Sequence, residues 1–163
     1  MSIGGFTSPN DKDPCSTVEL FHTGDAAWTS LTSLPTPALY PSATLIGELI
    51  YVMADEEHGY ICQLTDLLAN KKPLPPLAWK SLPPLPRTMS IPSSCILGGQ
   101  LVVVGRDRTI WQLIDSSWSA CGTLSGSYRE FCLLTSPTPH TMVAVGAYVG
   151  PGNDVIVDVC IVV

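Results

Sequence analysis

Three tryptophans, Trp28, Trp79 and Trp118, open the same pattern: an apolar or cysteine residue three positions on, then a leucine at six. The copies read Trp28-x-x-Leu31-x-x-Leu34-Pro35, Trp79-x-x-Leu82-x-x-Leu85-Pro86 and Trp118-x-x-Cys121-x-x-Leu124-Ser125. The tryptophans lie 51 and 39 residues apart, a period that belongs to repeated units, each too small to bury its apolar face alone. A chain of this kind is restricted to architectures made by setting equivalent units side by side.

Other columns keep step with the tryptophans. Residues 61–66, ICQLTD, return as 110–115, IWQLID; residues 49–52, LIYV, return as 101–104, LVVV, and 142–145, MVAV, match both. These runs have the length and β-branched content of strands. The second unit reads as strands at 42–46, 49–53, 60–66 and 79–82, and the third as strands at 94–97, 101–105, 109–115 and 118–121. Gly47 and the pair Gly98-Gly99 supply the positive φ that tight hairpins demand. The first two strands of a unit are apolar almost throughout, which predicts cover on both faces. Residues 90–118 are the best-preserved copy. The first unit lacks a first strand and most of a second, and the last ends after a third strand at 155–163 with no tryptophan. The expected fold class is all-β: a partial β-propeller of antiparallel four-stranded blades. It forms one domain of units 1–34, 35–85, 86–124 and 125–163, two full blades flanked by two incomplete ones.

A strand ending in Gly-Gly, a variable loop, a third strand and a tryptophan, repeated at about this period, resembles the kelch repeat. Gly4-Gly5 with Trp28 and the segment 101–118 carry the likeness most clearly. The sequence departs from the pattern where the diglycine falls on Met53-Ala54, Gly105-Arg106 and Gly146-Ala147, and where the last unit has no tryptophan. The resemblance implies a ring of blades, of which this chain looks like the C-terminal half, with open blade edges that invite self-association. It also implies a partner-binding face made by the loops after second strands (6–14, 55–59, 107–108, 148–154) and by the connections between blades (35–41, 86–92, 125–129). Such domains serve as substrate receptors of ubiquitin ligases or bind cytoskeletal proteins, so the implied partner is a protein or peptide.

On those loops, Asp55, Glu56, Glu57 and His58 form the densest polar cluster, with a solvated loop tip as the competing reading. Arg106, Arg108 and Arg129 are placed to clamp an acidic peptide through bidentate hydrogen bonds. Tyr40, Tyr128 and Tyr148 are candidate aromatic anchors. The expected partner-binding set is Glu56, Glu57, His58, Arg106, Arg108, Arg129 and Tyr148. The tryptophan column reads as packing between blades, and Trp111, outside it, as cover for the sheet's exposed side. Residues 68–87 are proline-rich and read either as an enlarged loop between third and fourth strands or as a polyproline ligand for an SH3-type groove.

A net charge of −6 and a pI near 4.8 argue against nucleic acid and anionic membrane as partners. Residues 1–13 have neither the basic nor the apolar region of a signal peptide, and no apolar run approaches the roughly 20 residues of a membrane span. The expectation is a soluble, cytoplasmic protein. Catalysis has no visible machinery: Gly122-Thr123-Leu124-Ser125-Gly126 misses the spacing of a nucleophile elbow, and glycine-rich 146–152 lacks the Lys-Ser/Thr of a phosphate loop. His22, His58 and His140 fall on separate units, so no catalytic residue, metal ligand or cofactor is expected. The six cysteines include no CxxC pair, and Cys62, Cys95, Cys132 and Cys160 lie in apolar runs, as expected of buried, reduced thiols. The leading expectation is a non-enzymatic protein-interaction module acting as receptor or scaffold. An enzyme or small-molecule binder with its site at the channel mouth, and a gene fragment without independent function, are the competing readings.

Overall fold

The computed structural model describes residues 1–8, 13–55, 57–69, 78–84, 91–124, 130–136, 138, 141–149 and 155–162. Their strands fall into four antiparallel sheets, each a meander of consecutive strands. The first sheet holds β1 (Ser2–Ile3), β2 (Val18–His22) and β3 (Ala27–Ser30). The second holds β4 (Ser42–Ile46), β5 (Leu49–Met53), β6 (Gly59–Gln63) and, after a single helical turn α1 (Leu64–Leu68), β7 (Lys80–Ser81). The third is β8 (Ser93–Leu97), β9 (Gln100–Val104), β10 (Thr109–Ile114) and β11 (Ser117–Thr123). The last is β12 (Glu130–Thr135), β13 (Met142–Val149) and β14 (Val155–Val162).

Three apolar clusters join these sheets in series. Val18 and Leu34 of the first unit pack with Ile50, Val52, Tyr60, Cys62 and Trp79 of the second. Met53 of the second meets Leu101 and Val103 of the third, flanked by Trp111, Leu113 and Trp118. Val102, Val104 and Ile110 of the third meet Leu133, Met142 and Ala144 of the last. Because successive strand residues point to opposite faces, β9 sends Leu101 and Val103 to one neighbour and Val102 and Val104 to the other. That is why LVVV is apolar without alternation. Val102, Val103 and Val104 are all fully buried, each contributing about 1.5–3 kcal/mol of burial free energy.

The innermost strands are joined by hydroxyl groups instead of backbone pairing. Ser94 Oγ lies 2.7 Å from both Ser42 Oγ and Thr44 Oγ1, and its own N–H donates to Ser42 Oγ at 2.8 Å. On the other side of β8, Ser93 Oγ accepts from Leu133 N at 2.9 Å and Thr135 Oγ1 accepts from Ile96 N at 3.1 Å. The order β4, β8, β12 around the inside is thereby fixed with the buried serines satisfied.

Four expectations need correction. The third strand of the second unit stops at Gln63 and not at residue 66. Gln63 is the last residue opposite β5, at Leu49, so the chain turns helical and drops Leu67 into the core. In the third unit the nearly identical sequence stays extended, since the Asp115-Ser116 turn, with φ of 46° and 62°, feeds β11 straight back onto β10. Register also shifts the glycine-pair position: Ile3, Met53 and Val104 each end their strand opposite Val18, Gly59 and Ile110, so Gly4-Gly5 is matched by Ala54-Asp55, not Met53-Ala54. In the last sheet Gly146 and Ala147 are ladder residues inside β13, as is Tyr148, opposite Ile156. Trp111 covers no outer side; it packs in the cluster between second and third sheets, where its indole nitrogen meets no partner among the described residues.

The cysteines divide. Cys62 and Cys95 are buried, whereas Cys121 and, against expectation, Cys132 are exposed. Cys132 alternates with buried Leu133 and so points away from the third sheet. Burial, helped by nearby Cys132, pushes the Cys95 thiol up to about 11. A thiol-reactive reagent at pH 8 should therefore modify Cys121 and Cys132 in the native protein, and Cys62 and Cys95 only at the rate of unfolding, as read by peptide mapping after timed labelling.

Candidate functional site

In an antiparallel meander, the loop after the second strand and the connection entering the first strand leave from the same end of the sheet. At that end a cleft of about 350 Å³ opens between the second and third sheets. Leu39 and Tyr40, just before β4, form one wall with Ala54 and Asp55, just after β5. Ile91 and Pro92, just before β8, form the other with Arg106, which follows β9 by two positions. Gly5, Asp55 and Arg106 are the same position of three successive units, so two equivalent loop positions bring opposite charges to one opening.

Apolar side chains make most of the surface there. Tyr40 is 56% exposed, and Leu39 and Ile91 are each 36% exposed. Ile91 also has φ of 50°, a left-handed conformation that costs a β-branched residue free energy and that tends to cluster where a site is held in shape. The hydroxyl contacts beneath the cleft set its width: Ser42 lies two residues beyond Tyr40, and Ser94 two residues beyond Pro92.

Asp55 organises its own loop. Its Oδ1 accepts from the backbone N–H of Glu57 at 2.8 Å and of His58 at 2.7 Å, and its Oδ2 lies 2.8 Å from His58 Nδ1. Partial burial pushes its pKa up, but the hydrogen bonds from Glu57 and His58 together outweigh it and leave the carboxyl below its ordinary value. The loop's hold is thus present above the usual carboxylate range and is lost as pH falls through the lowered pKa.

Of the expected partner-binding set, Arg106 alone among the described residues lines the cleft, joined there by Tyr40, one of the candidate aromatic anchors. Glu57 and His58 are exposed on the Asp55 loop outside it. Arg108, with φ of 65°, is half-buried in a turn closed by its N–H to Gly105 O at 2.9 Å, and its carbonyl accepts from Leu124 N. Glu56 and Arg129 lie outside the described residues, as do Tyr128, His140 and residues 70–77 and 85–87 of the proline-rich stretch; Tyr148 is described by its backbone only. Within that stretch, Pro83 serves the fold, its carbonyl accepting the Trp118 indole N–H at 2.7 Å. Leu39, Ile91 and Pro92 were not singled out from sequence. Their signal was present in the inter-blade connections, where apolar residues recur beside Pro41 and Pro92 immediately before a first strand. No three His, Cys, Asp or Glu side chains among the described residues lie together in a way that would hold a metal ion. No helix among them is long and apolar enough to cross a membrane.

Four antiparallel meanders packed face to face in series, with the first strands β4, β8 and β12 of the last three adjacent, define an all-β, propeller-like fold. It is similar to the solved structure of YjhT, with a TM-score of 0.67 over 90% of this chain and 49% of that one, at 12% identity. The chain spans about half the length of that structure's chain, and at this identity the likeness concerns the fold alone. Matching chains of solved structure number 71, so the fold is widely used and selects no function by itself. No family model matches the sequence, and no curated protein matches it.

Proposed function

We propose that this chain is a protein-interaction module, kelch-like in its repeats, that takes a peptide segment of a partner protein into the cleft between its second and third blades. The observation that carries this is the convergence of exposed Tyr40, Leu39 and Ile91 with Arg106 around one opening of about 350 Å³. That volume suits one or two side chains, and lies at the low end of what small-molecule sites offer. The Asp55 carboxylate is already engaged by its own loop, so Arg106 supplies the charge that selects a partner. The peptide favoured by this chemistry carries an aromatic or aliphatic residue next to a carboxylate. A receptor or scaffold role follows from rigid sheets displaying such loops.

Panning a displayed peptide library on the purified chain tests this. Enrichment of sequences pairing a carboxylate with a large apolar residue is expected. Arg106→Glu should weaken the selected peptides about tenfold to a hundredfold, the loss typical of a charge-assisted hydrogen bond. Failure to enrich any such sequence, or binding indifferent to Arg106→Glu and Tyr40→Ala, would overturn the proposal.

A further inference from the structure

We infer that the face of the first sheet carrying Phe21 and Trp28 docks the last sheet of a second copy of this chain, so that two copies join head to tail. The rule behind this is set by the interior of the chain. Trp79 donates its indole N–H to Thr32 O at 3.1 Å, and Trp118 donates to Pro83 O at 2.7 Å. Each acceptor lies four residues beyond the tryptophan of the preceding unit, so each indole is inserted against the sheet before its own. Trp28 stands in the same column, paired with Phe21 as Trp118 is paired with Leu113. In the first sheet Val18 faces the second sheet, and Phe21, three residues on, faces the other way. Trp28 is 55% exposed and Phe21 40%, with their rings in contact at 5.2 Å between centroids and tilted by 52°. An indole and a phenyl ring left together in water on a sheet face mark an interface.

The surface that fits it is at the other end of the same chain. In the last sheet Leu133, Met142 and Ala144 are buried against the third sheet. Their neighbours Cys132 and Leu134 pair with Val145 and Val143 and point the opposite way, with Leu134 49% exposed. Within the chain, the far faces of the first and second sheets each receive the tryptophan side of the next sheet. A second copy offers that tryptophan side, and the contact is reciprocated, so two junctions close on each other without leaving a chain of further copies.

Analytical ultracentrifugation of the full chain at increasing concentration should show a species of twice 17.4 kDa. Trp28→Glu and Leu134→Glu should each weaken it about thirtyfold or more, as burying an unpaired charge at an interface centre does, while thermal melts followed by circular dichroism confirm that both variants fold. Mixing the two variants should restore a dimer, since one of the two junctions then has Trp28 and Leu134 intact. A monomeric wild type at about 100 µM, far above the dissociation constants of specific interfaces, overturns the inference and leaves the face to another partner. So does a dimer lost with Trp28→Glu but kept with Leu134→Glu, which means the two first sheets meet each other.

Discussion

Trp79→Ala should lower the free energy of unfolding by about 3–5 kcal/mol, and Trp28→Ala by no more than about 0.5 kcal/mol under conditions that keep the chain monomeric. The two residues share one repeat column and open the same sequence pattern, so the contrast isolates what a neighbouring sheet adds. Trp79 is 5% exposed and fills the space between the first and second sheets against Val18, Leu34 and Ala38. Truncation leaves a cavity that the hydroxyl-stitched inner strands cannot close by sliding, because Ser42 and Thr44 tie β4 to β8 on the far side. Trp79→Phe separates packing from hydrogen bonding. It keeps most of the buried area but leaves the Thr32 carbonyl without its donor, for a cost of about 1–2 kcal/mol. Against a total stability of about 5–15 kcal/mol for a domain of this size, Trp79→Ala removes about a fifth or more. Urea titration of the three variants measures this, and equal losses at Trp28 and Trp79 would show that the column does not act through the neighbouring sheet.

The repeat made the blades legible because the forces that shape them act within a unit. Leu101 to Val104 had to be covered on both faces since no polar residue interrupts the run, and Gly98-Gly99, with φ of 58° and 79°, sits at the hairpin the sequence placed there. The same local reasoning failed where a partner strand decides. Residues 64–66 and 113–115 are Leu-Thr-Asp and Leu-Ile-Asp, yet one is helical and the other extended up to Ile114, because β11 continues the ladder in the third unit and β7 reaches only Tyr60 and Ile61 in the second. Cys132 and Trp111 were placed on the wrong faces for a related reason. Period-2 alternation shows that two sides exist, and the identity of the neighbour on each side is set by the order of the sheets.

The candidate site was half legible. Arg106 was visible as a charged residue on a loop after a second strand. Tyr40 was visible as a candidate anchor, but Leu39, Ile91 and Pro92 were not, since the two walls come together only because β4 and β8 are held side by side by Ser42 and Ser94. A shared loop class placed Arg108 beside Arg106, but the turn that closes Gly105 to Arg108 carries Arg108 out of the cleft. Adjacent residues of a tight turn diverge, whereas residues 50 positions apart in neighbouring repeats converge, and convergence across repeats is what builds a face of this kind.

That convergence gives Gly4 a role beyond its own strand. Gly4 has φ of 60°, and a Cβ there would stand 2.5 Å from the carbonyl oxygen of Ala38 and 3.0 Å from its Cβ. Gly47, in the β4–β5 hairpin, has nearly the same φ, 58°, with nothing within 4 Å of its Cβ position. Gly47→Ala should therefore cost only the left-handed conformation, about 1–2 kcal/mol. Gly4→Ala should cost about 3 kcal/mol or more, since the added methyl meets backbone that cannot rotate away. Ala38 is fully buried and tied on both sides, its carbonyl accepting from Gly5 N at 2.7 Å and its N–H donating to Cys15 O at 2.9 Å. Moving it shifts Leu39 and Tyr40, which follow it directly into the cleft wall. Gly4→Ala should thus weaken a cleft-bound peptide as well as the fold, whereas Gly47→Ala lowers stability and leaves binding at its wild-type level. Paired denaturation and peptide titrations of the two variants check both halves, and equal stability losses would mean that the close approach of Gly4 to Ala38 carries no strain of its own.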